Sequence, residues 1–415
     1  MKKLLTNAKI FDNKNNKLID VHILINDKII EKIYENNEKT AKNQDFLNEL
    51  KQSEIIDCKN NIITAGFINS NSNLIKNFFE SYSCAKSYDE FEEDFFNFAS
   101  NLSDDEKYAI YKFQILNLIK NGITTFCDED FFNLALKKAV KETNINAVYK
   151  LGYKNCFETF DKGLINKFEK ENEHYVFALK NVLENTEENF SEIIKLSKTY
   201  NKPVMMCGSK SIEQAGQIET EFSKTNIKML EDYGLLDTDN IIINSNVLDK
   251  DDYQILSTYN SKLIFSPSFN MLFGFPNANI YALSKTNLIG FSSFKNNFKL
   301  EMFLSQNIEN ISYNKLDVFS PYYLFESSTK SNAEILNLKN FGEIKVGYFA
   351  NLLLIENDMM LCDVNNFLKN FDLNKIKSVF INGELVFNAK HFVMNFGQEH
   401  LKLVCTNIIK KYFSK

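Results

Sequence analysis

Between residues 61 and 340, short apolar runs alternate with amphipathic stretches, and this alternation restricts the fold more than any other feature. Parallel strands cannot be joined by tight turns and need long crossovers, usually helical. The pattern therefore predicts a parallel β/α architecture. The stretch SDDEKYAIYKFQILNLIKNGITTFCDE (103–129) is one complete unit. Ser103 and Glu106 have the spacing of a capping box. Tyr108, Tyr111, Ile115, Leu118 and Ile119 form one helical stripe, and Gly122 stops the helix before the next strand. A second unit places Phe190, Ile193 and Ile194 on a helix, with Pro203 opening the strand VMMC. IIIN (241–244), KLIFSP (262–267) and LIGFS (288–292) read as further strands. With GFIN (66–69), Ala147–Leu151 and Tyr175–Leu179, the count of expected strands reaches eight, that of an α/β protein of the (β/α)8, TIM-like barrel type.

The two ends read differently. Residues 1–60 hold alternating strands such as HILIN and KIIEKI around a Lys/Asn/Glu-rich loop at 34–53, and residues 341–390 show the same habit. Residues 391–415 end in an expected amphipathic helix carrying Leu401, Val404, Ile408 and Phe413. A chain of 415 residues exceeds one ordinary domain, so a barrel at 61–340 with a smaller unit beside it is expected.

Several segments resemble the amidohydrolase superfamily, in the branch of nucleoside-type and aminofutalosine deaminases and chlorohydrolases. Asp57 followed by ITAGFIN (63–69) resembles the approach to that family's first barrel strand, with Ala65 where Pro is usual. NGITTFCDED (121–130) is similar to its G-x-T-T-x-x-D strand, with Gly122, Thr124, Thr125 and Asp128 in place. Thr329 and Ala333 sit in a reduced T-x-x-G-A helix start. FGEIKVGYFANLLLIE (341–356) and SVFINGELVFN (378–388) resemble its closing strands, with Asn351 replacing an Asp. The resemblance implies that residues 1–60 and 341–390 combine into one β-sandwich beside the barrel.

Carried over residue by residue, the same resemblance removes the chemistry. The family's first strand ends in His-x-His, and here those positions are Asn71 and Asn73 in GFINSNSNL (66–74). The third ligand histidine falls on Cys207, and the proton-shuttling glutamate on Lys210, in KPVMMCGSK (202–210). The next histidine falls on Asn244, and the aspartate of the last strand on Ser292. Zinc sites are built from several His, Cys or carboxylate ligands, which this set does not supply. Without a metal, water keeps a pKa near ~15.7 instead of about 7 and is a poor nucleophile. The family would use zinc or iron; no cofactor is expected here. The four histidines, His22, His174, His391 and His400, lie far apart in sequence and form no local metal pair.

The resemblance implies an ancestor hydrolysing non-peptide C–N bonds, deaminating a purine-nucleoside-like compound. The expectation is that this chain keeps the frame, and with it a small nucleoside-like ligand, without catalysis: a pseudoenzyme that binds, regulates or partners an active relative as a homo- or hetero-oligomer. The alternative is an active hydrolase or deaminase, of aminofutalosine or a related substrate, with an unorthodox site in which Cys207, Lys210 and Asp128 act. Cys207 beside Lys210 could form a thiolate–ammonium pair, although a buried thiol beside an exposed lysine is the more ordinary arrangement.

Composition narrows the partners. Charged residues make up 25% and the net charge is −6; the 48 basic residues are all lysine. Without arginine there is no bidentate guanidinium clamp for phosphate, and an acidic balance excludes a nucleic-acid partner. No apolar run reaches the ~20 residues that span a membrane, and the N-terminus lacks a signal-peptide core. Seven cysteines without a C-x-x-C pair suit a reducing cytoplasm. Residues 77–101 concentrate Phe78, Phe79, Tyr82, Tyr88, Phe91, Phe95, Phe96 and Phe98. They form either a pocket lid or subunit interface, or a helix burying its apolar face on the barrel. The acids between them are expected on a solvated face.

Overall fold

The computed structural model describes residues 2–153, 160–357 and 363–413; Met1, Cys156, Cys362 and the last two residues of the expected C-terminal helix lie outside the described residues. Eight parallel strands form the barrel wall in chain order: Phe67–Ser72, Ile123–Phe131, Asn146–Tyr153, His174–Leu179, Val204–Cys207, Asn240–Ile243, Lys262–Phe265 and Ile289–Phe291. Each occupies a stretch read as a strand from the sequence, and helices connect them. Alternation along the strands sorts the side chains into two layers. Ile68, Cys127, Val148, Val176, Met205, Ile241 and Ile264 fill the barrel, whereas Phe126, Tyr149, Phe177 and Phe265 pack between wall and helices.

A second sheet joins the two ends of the chain. Leu352–Ile355 runs antiparallel to Ile62–Ala65, pairing Leu352 with Ala65 and Ile355 with Ile62. The strand Ile62–Ala65 thus stands in the terminal sheet, next to Lys2–Asp12, and the barrel wall begins only at Phe67. Leu5, Ile23, Ile25, Ile63, Leu352 and Phe380 give this nine-stranded sheet its own apolar core.

The local signals act as their chemistry requires. The Ser103 side chain accepts from the Glu106 backbone and the Glu106 side chain from the Ser103 backbone, closing the capping box of helix Asp104–Lys120. Asparagine does the work that glycine usually does at helix ends: Asn144, Asn172, Asn201 and Asn314 all adopt left-handed conformations there. Helix Gln398–Phe413 buries Leu401, Cys405 and Ile408 and sets Phe413 against Phe79, Tyr82 and Phe98.

The seam between the first and last barrel strands is stitched by side chains. Asn332, from helix Lys330–Ile335, donates from its one amide nitrogen to the carbonyls of Ile68 and Phe291, both at 2.6 Å. Asn69 and Ser293 exchange two bonds, Asn69 Nδ2 to the Ser293 carbonyl at 2.9 Å and Ser293 N–H to Asn69 Oδ1 at 3.0 Å. Ser70 Oγ donates to the Phe291 carbonyl at 3.1 Å. Gly290 makes room for this stitch, since a Cβ there would lie 2.1 Å from Asn332 Oδ1. Asn332→Ala takes one donor from each of two buried carbonyls, and that of Phe291 is left with Ser70 Oγ as its side-chain donor. The substitution should lower unfolding stability by about 3 kcal/mol in urea titrations, and a loss under about 1 kcal/mol would show that the seam does not depend on it.

Candidate functional site

The sequence-selected residues all sit at the C-terminal ends of barrel strands, the end where barrel proteins keep their chemistry. Asn71 is the penultimate residue of the first strand, Phe67–Ser72, and Asn73 follows its end. Cys207 ends the fifth strand. Asn244 stands one residue past the sixth strand, in a left-handed conformation with its N–H on the Ile264 carbonyl, and Ser292 one past the eighth, with its N–H on the Phe265 carbonyl.

These positions surround the mouth of the barrel, but they do not converge on one point. Asn73 and Cys207 line a cavity of about 300 Å³. That volume lies at the lower end of ligand pockets, which run from about 300 to 1,000 Å³. The other walls are Leu74, Ile75, Phe131, Leu179, Met205 and Met206, with Lys76, Glu92, Asp128, Glu129 and Lys150 supplying charge and Phe95 and Phe96 the outer edge. Asn244, Ser292 and Lys210 are not among its walls.

Lysine holds the place of chief interest. Lys150 is buried on the third strand and its ammonium donates to Asn71 Oδ1 at 2.7 Å. Asn73 turns its amide back, Nδ2 to the Asn71 carbonyl at 3.3 Å. Asp128 accepts the backbone N–H groups of Leu74 and Asp130, each at 3.1 Å. Burial, and then the charge of Asp130, push its carboxyl well above the usual range. Burial, and next the Glu129 carboxylate, also raise the Cys207 thiol.

The lysine expected to lie exposed beside Cys207 is not on the open surface. Lys210 is half-buried and donates to Tyr88 Oη at 2.7 Å, and burial lowers its pKa. With its thiol raised, Cys207 is no activated nucleophile.

The aromatic segment is chiefly core: Phe78, Phe79, Phe91 and Phe98 are buried. Asp89, Glu90, Glu93 and Asp94 are exposed, as a solvated acidic face requires, and Glu92 departs from it, on the side that covers the cavity. Glu92 turns inward to Lys76 at 3.0 Å, and Lys76 also meets Glu129 at 3.5 Å and lies over the Phe95 ring at 5.0 Å. This ion pair ties helix Leu74–Glu80 to helix Tyr88–Asn101 beside the cavity.

The residues present do not fit a catalytic zinc or iron. Asn71, Asn73, Asn244 and Ser292 offer neutral oxygens, Asn71 Oδ1 already accepts from an ammonium, and the single thiol favours its protonated form. A cation placed there would face the Lys150 charge. Among the described residues, no three His, Cys, Asp or Glu side chains cluster in a way that could hold a metal ion. His22 is buried in the terminal sheet against Phe46, and His174 lies against Phe341.

The sequence reading passed over Lys150 and Lys76. A signal existed for the first: in AVYKL, Val148 faces the barrel interior, and Lys150, two residues on, shares that face. No comparable signal marked Lys76, because its burial depends on where the following helix lands.

With this geometry in place, comparison with known proteins sets the class. The amidohydrolase family model matches residues 62–386, and the chain belongs to the amidohydrolase family. A 5'-deoxyadenosine deaminase of Methanococcus aeolicus is 26% identical over 410 residues, 90% of this chain and 94% of that protein. A 5-methylthioadenosine/S-adenosylhomocysteine deaminase of Caldicellulosiruptor saccharolyticus is 23% identical over 355 residues, 81% and 82% of the two chains. Among solved structures, an adenosine deaminase from Xanthomonas campestris with bound zinc superposes with a TM-score of 0.86 at 11% identity, covering 100% of this chain and 99% of that one. A zinc-complexed atrazine chlorohydrolase from Arthrobacter aurescens gives 0.82 at 15% identity, covering 98% and 100%. These two likenesses show the shared fold. Among the described residues no helix is long and apolar enough to cross a membrane.

The ion pair over the mouth has a pH signature. Burial alone would raise the Glu92 carboxyl, but the charges of Lys76 and Lys210 and the hydrogen bond from Lys76 hold it at about 2, below its ordinary 4.5. A depressed carboxylate stabilises the fold fully above its unfolded pKa and loses that contribution as pH falls through the folded one. Thermal stability should therefore fall between pH 4.5 and 2 more steeply in the native chain than in Glu92→Gln. Parallel curves for the two would show that the pair contributes nothing.

Proposed function

We propose that this chain is a pseudoenzyme of the amidohydrolase family, one that binds a small nucleoside-like ligand in the barrel mouth without metal-dependent hydrolysis. The observation that carries this reading is the Lys150 ammonium on Asn71 Oδ1. Asn71, Asn73, Cys207, Lys210, Asn244 and Ser292 are, in this reading, the vacated positions of the ancestral metal and proton-shuttle groups. No cofactor is called for, since the donors that remain suit hydrogen bonding better than zinc. The role left to such a protein is to sense its ligand or to partner an active relative, as a homo- or hetero-oligomer. A cytoplasmic location accords with the five described cysteines, all free.

The names of the relatives favour a second reading, an active deaminase. Both curated relatives are deaminases of adenine nucleosides or their thioethers. In that reading Asp128, its carboxyl raised by burial, would handle a proton, and Cys207 and Lys210 would flank the substrate.

Ammonia release from 5'-deoxyadenosine, 5'-methylthioadenosine and S-adenosylhomocysteine separates the two, measured with zinc, with iron and with a chelator, beside calorimetric binding of the same compounds. The proposal expects binding of at least one compound and no turnover above buffer. Turnover that a chelator abolishes and metal restores would refute it. Metal-independent turnover that falls in Asp128→Asn or Cys207→Ala, with folding intact, would establish the second reading.

A further inference from the structure

We infer that Lys150 forms an anion subsite inside the cavity and that the ligand presents a carboxylate to it. The inference rests on the reading that the pocket binds without a metal. Lys150 is only 4% exposed, yet its ammonium lines the cavity. Among the described residues it makes one hydrogen bond, to a neutral amide oxygen, and no ion pair. An ammonium has three donors, and burying its charge without a counter-charge is costly.

The acids nearby are already engaged. Glu129 pairs with Lys76, and Asp130 accepts the Tyr111 hydroxyl at 2.6 Å. Asp128 lies within reach of the Lys150 charge but turns its two oxygens to backbone N–H groups and forms no ion pair with it. The other lysines of the cavity wall have partners, Lys76 with Glu92 at 3.0 Å and Lys180 with Glu184 at 3.2 Å. Among the described residues Lys150 is thus the wall lysine without an ion pair, and a guest anion can supply one.

The same surroundings choose among anions. One ammonium matches one negative charge, and there is no arginine fork to seat a phosphate. A phosphate monoester brings a charge of about −1.5 to −2 toward the Glu129 and Asp130 carboxylates. A carboxylate brings one. Leu179, Met205 and Met206 offer the rest of the ligand an apolar bed, and Phe95 and Phe96 an aromatic edge.

The test is ligand-observed NMR and calorimetry on the intact chain, with 3-phenylpropionate, its neutral amide and phenyl phosphate as probes. The acid should bind about ten-fold or more tightly than the amide and more tightly than the phosphate, and Lys150→Met should erase that preference. Asn71→Asp places an internal carboxylate on the ammonium, and it should weaken the acid about ten-fold even if Lys150→Met fails to fold. Equal binding of acid and amide, unchanged acid binding in Asn71→Asp, tighter binding of the phosphate, or no binding of the acid each overturns the inference. A pocket that still binds nucleosides in Lys150→Met, without any charge preference beforehand, would remove the subsite and leave the metal-free pocket standing.

Discussion

Two backbone carbonyls, of Ile68 and Phe291, mark the place where the barrel wall must close, and the Asn332 amide bonds both. Everything at the mouth depends on that closure. The first strand carries Asn69 into the seam and, two residues later, Asn71 toward the third strand. A buried carbonyl without a donor costs on the order of 1–3 kcal/mol, so the stitch is a condition of the fold as much as a contribution to it. The price of using side chains for this is tight space, visible at Gly290, where a Cβ would strike the amide.

Once the wall is closed, charge decides what the mouth can do. A hydrolytic barrel of this family concentrates anionic and imidazole donors around a cation brought from solution. Here the chain supplies its own cation, covalently attached, and faces it with neutral amides. An ammonium can hold an acceptor or an anion, but it cannot lower the pKa of a bound water as zinc does. Burial outweighs the nearby lysine charge at Asp128 and at Cys207, and both groups are pushed up from their ordinary ranges. At the lid the balance goes the other way: Glu92 stays ionised under the aromatic helix because Lys76 is beside it.

Much of the architecture was legible in the chain. Period-two and helical spacing, the capping box at Ser103 and Glu106, and the helix stop at Gly122 all report local physics, and local physics placed the eight strands. The family resemblance pointed to Asn71, Asn73, Cys207, Asn244 and Ser292, and the structure places these positions at or just past the C-terminal ends of barrel strands. The contacts around them were not legible. The partner of Lys150 lies 79 positions away in sequence, and the inward turn of Glu92 needs the helix Tyr88–Asn101 to land on the barrel mouth. The bond from Lys210 to Tyr88 spans 122 positions. No periodicity in the chain encodes such meetings; they follow from closure of the barrel.

The central claim, that the barrel mouth no longer takes a catalytic metal, is tested most directly by elemental analysis of the purified, untagged protein after exposure to excess zinc and iron and removal of loosely held ions. The account predicts less than about a tenth of an equivalent of either metal per chain. Close to one equivalent, lost in a Cys207→Ala variant that remains folded, would contradict it.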